Sequence, residues 1–125
     1  MTTQETMTTQ DVATRLVELC RTGEWEKAQR ELYADNAVSN EPYSTPDFEK
    51  VTTGLDAIIE KGHKFDKMVD NMHGVTVSEP LVTAGSIAFK LTMDITMKGR
   101  NREKMAELCV YEVKDGKIIS ERFFM

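Results

Sequence analysis

The sequence is poor in the residues that metal sites and disulfide frameworks require. Its 125 residues include only two cysteines, Cys20 and Cys109, and two histidines, His63 and His73. The cysteines lie far apart in apolar segments, and the histidines have no Cys or acidic neighbour at the usual spacing of zinc ligands. We therefore expect two buried free thiols and no metal site.

Long apolar runs and an excess of basic residues are missing as well. No segment approaches the roughly 18 to 20 apolar residues of a membrane span, and the first ten residues form neither a cationic nor an apolar signal region. With 16 Lys and Arg against 21 Asp and Glu, the net charge is −5, which argues against a nucleic-acid or anionic-membrane partner. Neither a phosphate loop nor a dinucleotide fingerprint is present. These absences predict a cytoplasmic protein that uses no cofactor and binds neither nucleic acid nor a membrane.

What remains is the composition of an ordinary globular domain. Hydrophobic residues make up 40% and charged residues 30% of the chain, and its length suits a single core. Residues 1–7 are rich in Thr and Gln, so we expect a disordered tail there and a single domain over residues 8–125.

The first half of the chain has helical periodicity. Thr8 is typical of an N-cap, and apolar residues then recur at helical spacing, which predicts a first helix over residues 9–22. A second, short helix is expected over about 25–33. A long apolar stripe predicts the third and longest helix over about 54–70, capped by Thr53 or its neighbour.

Strand periodicity takes over in the second half. Apolar and polar residues alternate there, and Asp115-Gly116 is typical of a two-residue type I′ hairpin. Strands are predicted over residues 37–41, 73–77, 89–97, 105–114 and 117–125. Three helices followed by a strand-rich half predict an α+β domain, in which a curved antiparallel sheet carries the helices on one face.

The hairpin also predicts which residues face each other. A two-residue turn places Val110 opposite Glu121 and Leu108 opposite Phe123. The inner face would then be mostly apolar with two carboxylates, formed by Ala106, Leu108, Val110, Glu112, Ile119, Glu121, Phe123 and Met125. The outer face would be half apolar, formed by Glu107, Cys109, Tyr111, Val113, Ile118, Ser120 and Arg122. Such a face predicts a homodimer formed through the sheet; scattered surface apolar residues are the alternative.

Three segments resemble a known family: ELYADNAVSNEP (31–42), VYEVKDGKI (110–118) and ERFF (121–124). They resemble the SnoaL-like and ketosteroid-isomerase-like branch of the nuclear transport factor 2-like (NTF2-like) superfamily, and the resemblance extends over residues 9–125. It implies a cone-shaped domain in which the bent sheet wraps around the long helix and leaves a deep apolar pocket, often in a dimer. The superfamily includes isomerases, dehydratases, cyclases and proteins without enzyme activity, so the resemblance is more specific for fold than for reaction.

The resemblance also implies where a catalytic site would lie. Isomerase members use a carboxylate base at the end of the first short strand, just before a Pro. Their oxyanion hole is made by a tyrosine on the first helix and a protonated carboxylic acid on the penultimate strand. Aligned on these features, Glu41 takes the position of the base, while Leu16 and Leu108 take the two oxyanion positions. Losing even one oxyanion donor costs on the order of 10²–10³ in rate, so the alignment argues against ketosteroid isomerase activity.

Further candidates come from the predicted faces. Glu121 is the expected second acid–base group, and its alternative is a structural ion pair with a residue such as Arg15. His73 shares the parity of the valines that follow it and is expected to face the cavity as a third catalytic candidate; a hydrogen-bonded core histidine is the alternative. The residues expected to line the pocket and bind the ligand are Leu16, Tyr43, Phe65, Met68, Met72, Phe89, Leu91, Met93, Leu108, Val110 and Phe123.

Two functions fit these observations. The first is a cofactor-independent isomerase, cyclase or dehydratase that acts on a hydrophobic carbonyl or cyclic small molecule by carboxylate acid–base chemistry. The second is a non-catalytic module of the same fold that binds a hydrophobic ligand or mediates dimerisation. Carboxylates on the pocket face favour the first, and the absence of both oxyanion donors favours the second.

Overall fold

The computed structural model describes residues 7–125, so the tail predicted over residues 1–7 lies, except for Met7, outside the described residues. Within this range the helices are α1 (Thr9–Arg21), α2 (Trp25–Leu32) and α3 (Leu55–Met68). The strands are β1 (Tyr33–Asn40), β2 (Val51–Thr53), β3 (Val69–Val77), β4 (Leu81–Val82), β5 (Ser86–Met97), β6 (Glu103–Lys114) and β7 (Lys117–Phe124). The predicted α+β class and order of elements are confirmed.

The first helix begins as its sequence predicts. The Thr8 hydroxyl accepts the Asp11 backbone N–H at 3.1 Å, and the Asp11 carboxylate accepts the Thr8 backbone N–H at 3.1 Å. This capping box satisfies two amide groups that the helix itself leaves without partners, and the carboxylate also meets the positive end of the helix dipole.

The third helix is shorter than predicted at both ends. Its N-cap is Gly54 instead of Thr53, and the glycine has a φ of +98°, a conformation that side chains disfavour. The helix ends at Met68, whose carbonyl accepts the Lys98 backbone N–H at 2.9 Å. Met72, which continues the apolar stripe beyond the predicted end of this helix, belongs to β3.

The strands form one curved sheet in the order β2-β1-β7-β6-β5-β3, with β4 paired to β5. The prediction of a purely antiparallel sheet is wrong in one place, because β1 and β7 pair in parallel. These two strands are separated by most of the chain, and a long crossover permits parallel pairing where a tight hairpin does not. The parallel pair sets Ser39 beside Glu121, at the centre of the site described below.

The helices cover one face of this sheet. Leu16 of α1 and Ile58 of α3 join Phe89, Tyr111 and Ile118 of the sheet in one buried cluster. The Phe89 and Tyr111 ring centroids are 5.4 Å apart, a common distance for aromatic pairs. No helix within residues 7–125 is both long and apolar enough to span a membrane.

The β6–β7 hairpin has the predicted turn but not the predicted register. Asp115 and Gly116 both have positive φ, +52° and +75°, as a type I′ turn requires. Between Glu112 and Val113 the pairing shifts, because Ile119 is an extra residue on β7. Such a β-bulge moves every later pair by one position and therefore reverses the face of the partner strand.

This bulge corrects both faces predicted for β6. Glu121 pairs with Tyr111 instead of Val110, and Phe123 pairs with Cys109 instead of Leu108. Cys109 and Tyr111 are buried, whereas Leu108 is 45% exposed. The predicted outer face is thus largely the inner one, and the outer face carries Ala106, Leu108, Val110, Glu112, Arg122 and Phe124.

A second bulge displaces His73. The pairing of β3 with β5 shifts between Met72 and Gly74, which leaves His73 as the extra residue. Its ring is exposed, and Nε2 lies 2.8 Å from the Thr96 hydroxyl. The expectation that His73 faces the cavity is wrong, because the bulge breaks the alternation from which its direction was inferred.

Candidate active site

A cavity of about 490 Å³ lies between the helices and the sheet. Its apolar wall comprises Leu16, Trp25, Ala28, Ile58, Ile59, Phe65, Met68, Leu91, Met93, Met97, Met105, Phe123 and Met125, among others. This volume is that of a pocket for a small organic molecule. Five of these residues are methionines, whose flexible side chains adapt to ligands of irregular shape.

Seven of the eleven residues predicted to bind the ligand line this cavity: Leu16, Tyr43, Phe65, Met68, Leu91, Met93 and Phe123. Leu108 and Val110 do not, because the bulge at Ile119 turns them to the outer face. Phe89 is buried in the core against Tyr111. Met72 lies in β3 opposite Ile95 instead of on the helix that lines the cavity.

Glu41 stands at the end of β1 and forms an ion pair inside the cavity. Its Oε1 lies 2.9 Å from Nζ of Lys61 on α3, and the two side chains are only 26% and 16% exposed. The backbone N–H of Glu41 donates to the Lys50 carbonyl at 2.7 Å, which fixes the chain before Pro42. A partly buried ion pair with a direct hydrogen bond is stronger than one on the surface.

Glu121 is 4% exposed and has a partner for each carboxylate oxygen. The Tyr33 hydroxyl donates to Oε1, and the Ser39 hydroxyl donates to Oε2 at 2.6 Å. Burial raises the pKa of Glu121, while these two hydroxyl donors lower it. The ion pair with Arg15 considered above does not form, because Arg15 binds Glu31 and Glu18 on the surface.

Lys61 joins the two carboxylates into one network. Besides Glu41 it donates to the Ser39 hydroxyl oxygen at 2.6 Å, and Ser39 in turn donates to Glu121. Sequence reasoning missed Lys61, although it lies three residues after Ile58 and four before Phe65 and thus on the apolar face of α3. A lysine inside an apolar stripe was the available signal.

Glu107 is another carboxyl that lines the cavity, and its pKa is strongly raised. Burial, reinforced by the negative charges of Glu41 and Glu121, raises its pKa from 4.5 to about 7. Its side-chain contact is the Cys109 thiol, with Sγ 3.9 Å from Oε1. The sequence analysis placed Glu107 on the outer face; the alternation of Met105, Cys109 and Tyr111 was the signal that could have placed it inside.

The two cysteines are free and buried, as predicted. Burial raises the pKa of Cys20 to about 12 and that of Cys109 further still, so both stay protonated at neutral pH and are not nucleophiles. Within residues 7–125 no three His, Cys, Asp or Glu side chains are grouped to hold a metal ion. The polar groups of the cavity include a carboxylate paired with an ammonium group and a carboxyl whose pKa is raised to about 7.

Comparison with known proteins agrees with this fold. A family model described as a SnoaL-like domain matches residues 7–125. A solved structure from Mesorhizobium loti, provisionally described as a SnoaL-like polyketide cyclase, is 31% identical, with 95% of this chain and 100% of that chain covered and a TM-score of 0.88. No curated protein matches the chain significantly.

More distant structures share the fold alone. An NTF2-like protein of unknown function from Burkholderia pseudomallei has a TM-score of 0.77 at 11% identity, over 94% of this chain and 89% of that one. TerC, co-crystallised with polyporic acid, has a TM-score of 0.77 at 11% identity, over 94% of this chain and 90% of that one. These similarities confirm the NTF2-like fold expected from the sequence.

Proposed function

Because the chain belongs to the SnoaL-like family, we propose that it is a cofactor-independent acid–base enzyme that isomerises, cyclises or dehydrates a hydrophobic carbonyl compound. The observation that carries the proposal is that two carboxyl groups in one apolar cavity have different environments. Glu41 is ion-paired with Lys61, whereas Glu107 has a pKa of about 7. Such a division lets one group accept a proton while the other donates one at the same pH.

Glu41 is suited to the role of base. Its carboxylate lies at the cavity wall beside Phe123 and Pro42, where an apolar substrate excludes water from it. The ammonium of Lys61 fixes this carboxylate in position. Proton abstraction next to a substrate carbonyl would form an enolate, whose oxygen then needs a donor.

Glu107 is better suited than Glu121 to the role of proton donor, although Glu121 was the residue expected from the sequence. Both oxygens of Glu121 already accept hydrogen bonds, from Tyr33 and Ser39, so this carboxylate is held by the protein. Glu107 has only the weak thiol contact and titrates near neutrality. Glu107 also lies on the penultimate strand, where the isomerase members of the superfamily carry their acid. The alignment placed Leu108 at that position and therefore indicated that the acid was missing. With Glu107 one residue away and inside the cavity, that argument against an enzyme no longer holds.

The substrate class follows from the cavity. Its wall is apolar and rich in methionine, and the distantly similar TerC was co-crystallised with polyporic acid. A cyclic, largely apolar carbonyl compound matches both the wall and the polar groups within it.

The test is proton exchange, which needs no knowledge of the natural substrate. A panel of hydrophobic cyclic ketones is incubated with the protein in D₂O, and deuterium uptake next to the carbonyl is followed by NMR. We expect uptake that falls at least 100-fold in Glu41→Gln and in Glu107→Gln. Glu112→Gln is the matched control, because Glu112 is exposed on the outer face of the strand that carries Glu107.

The same panel distinguishes the alternative function. Saturable ketone binding with no exchange in the unaltered protein would refute acid–base catalysis on this class and identify a ligand-binding module. Exchange that survives both substitutions would refute the roles given to the two carboxyls.

A further inference from the structure

Lys61 has one N–H bond that donates to no oxygen of residues 7–125. An ammonium group has three N–H bonds. Within residues 7–125, Nζ donates to two oxygens, Oε1 of Glu41 at 2.9 Å and Oγ of Ser39 at 2.6 Å. Nζ also lies 5.9 Å from the centroid of the Phe123 ring. Lys61 and Phe123 both line the cavity, so the third N–H is available to a bound molecule.

The cavity otherwise holds an excess of negative groups. Glu41, Glu107 and Glu121 all line it, with Tyr33 and Tyr111 as neutral phenols. Burial raises the pKa of both tyrosines well above 10, so neither phenol is a source of charge at neutral pH. Lys61 neutralises Glu41, and Glu121 is held by two hydroxyl donors. Two other basic residues line the cavity, but Arg100 is exposed and His63 is bound by Glu26 and Glu60. The ammonium of Lys61 is therefore the cation that a negative ligand oxygen would meet beside Glu41.

We infer that Lys61 is a ligand-binding and catalytic group, which donates its third N–H to an oxygen of the ligand and selects molecules that carry or develop negative charge there. The chemical class is that of enolates and phenolates: a flat apolar ring with one ionisable oxygen. The inference rests on the proposed acid–base function and adds Lys61 as a donor to the developing enolate oxygen, besides the acid Glu107. A charge-assisted hydrogen bond of this kind is shorter and stronger than one between neutral groups.

The hydrogen bonds of Lys61 with Ser39 and Glu41 fix the position of its ammonium group. Ser39 is fully buried, and its hydroxyl donates to Glu121 while accepting from Lys61. Glu41 accepts a second N–H from the other side. Two fixed acceptors leave the third N–H with a defined direction before the ligand arrives, which is the arrangement that stabilises a developing charge most effectively.

The experiment uses 4-nitrophenol as the probe, because its anion is coloured and its ionisation in the complex can be read by absorbance. We expect bound 4-nitrophenol to ionise at lower pH than the free compound. Lys61→Met should reduce the preference for the anion by about 10- to 100-fold. Lys61→Arg should restore part of it, and Lys67→Met, which alters an exposed lysine of the same helix, should leave it unchanged.

A second variant separates direct donation from a loss of overall charge. Glu41→Gln removes the neighbouring carboxylate but keeps the ammonium, so it should retain or increase the preference for the anion. The double variant Lys61→Met with Glu41→Gln should still lack that preference. Near-UV circular dichroism confirms that each variant is folded, and Lys61→Gln replaces Lys61→Met if the latter unfolds.

Three results would overturn the inference. Equal anion preference in the unaltered protein and in Lys61→Met would show that Lys61 does not contact the ligand oxygen. Recovery of the preference in the double variant would assign the effect to charge alone. Failure of 4-nitrophenol to bind at any pH would show that the cavity does not take a flat apolar ring, on which the inference depends. None of these readouts requires turnover, so a failure here is distinguishable from an absence of ketone exchange.

Discussion

The raised pKa of Glu107 makes a prediction about stability that can be worked out from the fold. Its carboxyl has a pKa of about 7 in the cavity against an ordinary value of 4.5. One pKa unit corresponds to 1.36 kcal/mol, so ionising Glu107 in the folded protein costs about 3 kcal/mol more than ionising it in the unfolded chain. Glu107→Gln removes this cost, since an amide of similar shape cannot ionise.

Proton linkage determines how the free energy of unfolding changes with pH. Below about pH 4.5 Glu107 is protonated in both the folded and the unfolded protein, so its ionisation contributes nothing. Between about pH 4.5 and 7 the unfolded chain loses this proton first, and the free energy of unfolding decreases as the pH rises. Above pH 7 the decrease is complete. Relative to the unaltered protein, Glu107→Gln should therefore gain about 3 kcal/mol of stability between pH 4 and pH 8.5.

Urea unfolding at a series of pH values measures this difference. Glu112→Gln on the exposed face of the same strand should show no such pH-dependent gain. Glu121, whose pKa is also raised by burial, interacts with Glu107, so the comparison measures the ionisation of Glu107 together with this interaction. A difference between Glu107→Gln and the unaltered protein that stays constant from pH 4 to pH 8.5 would refute the burial of Glu107 described above.

Two further predictions concern the buried network and the outer face. Tyr33→Phe leaves the buried Glu121 without one of its two donors, so it should destabilise the protein by about 1.5 to 3 kcal/mol in urea unfolding. The exposed Tyr43→Phe is the control, and a loss in Tyr33→Phe no larger than in Tyr43→Phe would contradict this. We also propose that the homodimer expected from the sequence uses the outer sheet face, where Leu108 pairs with Phe124 and both are about half exposed. Leu108→Asp should then give a monomer in light scattering, and a monomeric unaltered protein would refute the dimer.

Local patterns were sufficient to predict most elements of this fold, although the short strands β2 and β4 were not predicted. The helix that follows Thr8, the helix α3 and the Asp115-Gly116 turn each depend on residues close together in the chain, and each is found, α3 with shorter bounds than predicted. The parallel pairing of β1 with β7 could not be read in this way, since it depends on how the whole chain returns to its first strand.

The site was harder to predict, because single residues decide it. One extra residue at Ile119 reverses which face of β6 is inside, and one at His73 breaks the alternation of β3. Period-2 arguments assume an unbroken strand, and nothing local in the sequence marks these two bulges. Glu41 did not depend on such counting, since it was placed by the resemblance at the end of a strand before Pro42, and it lines the cavity.

The bulge at Ile119 is also what gives the cavity its chemistry. With the regular register, Leu108 and Val110 of β6 would face inward and the cavity wall would be apolar at this strand. The protein would then be more stable at neutral pH, because no buried carboxyl would have to ionise. The observed register brings in Glu107 instead, with only a thiol contact at 3.9 Å. A buried carboxyl retained for stability would be expected to have full hydrogen-bond partners, as Glu121 does from Tyr33 and Ser39. Glu107 weakens the fold above pH 5, and its hydrogen-bond contact among residues 7–125 is the weak one with the Cys109 thiol. A role toward a ligand therefore accounts for Glu107 better than a role in the fold.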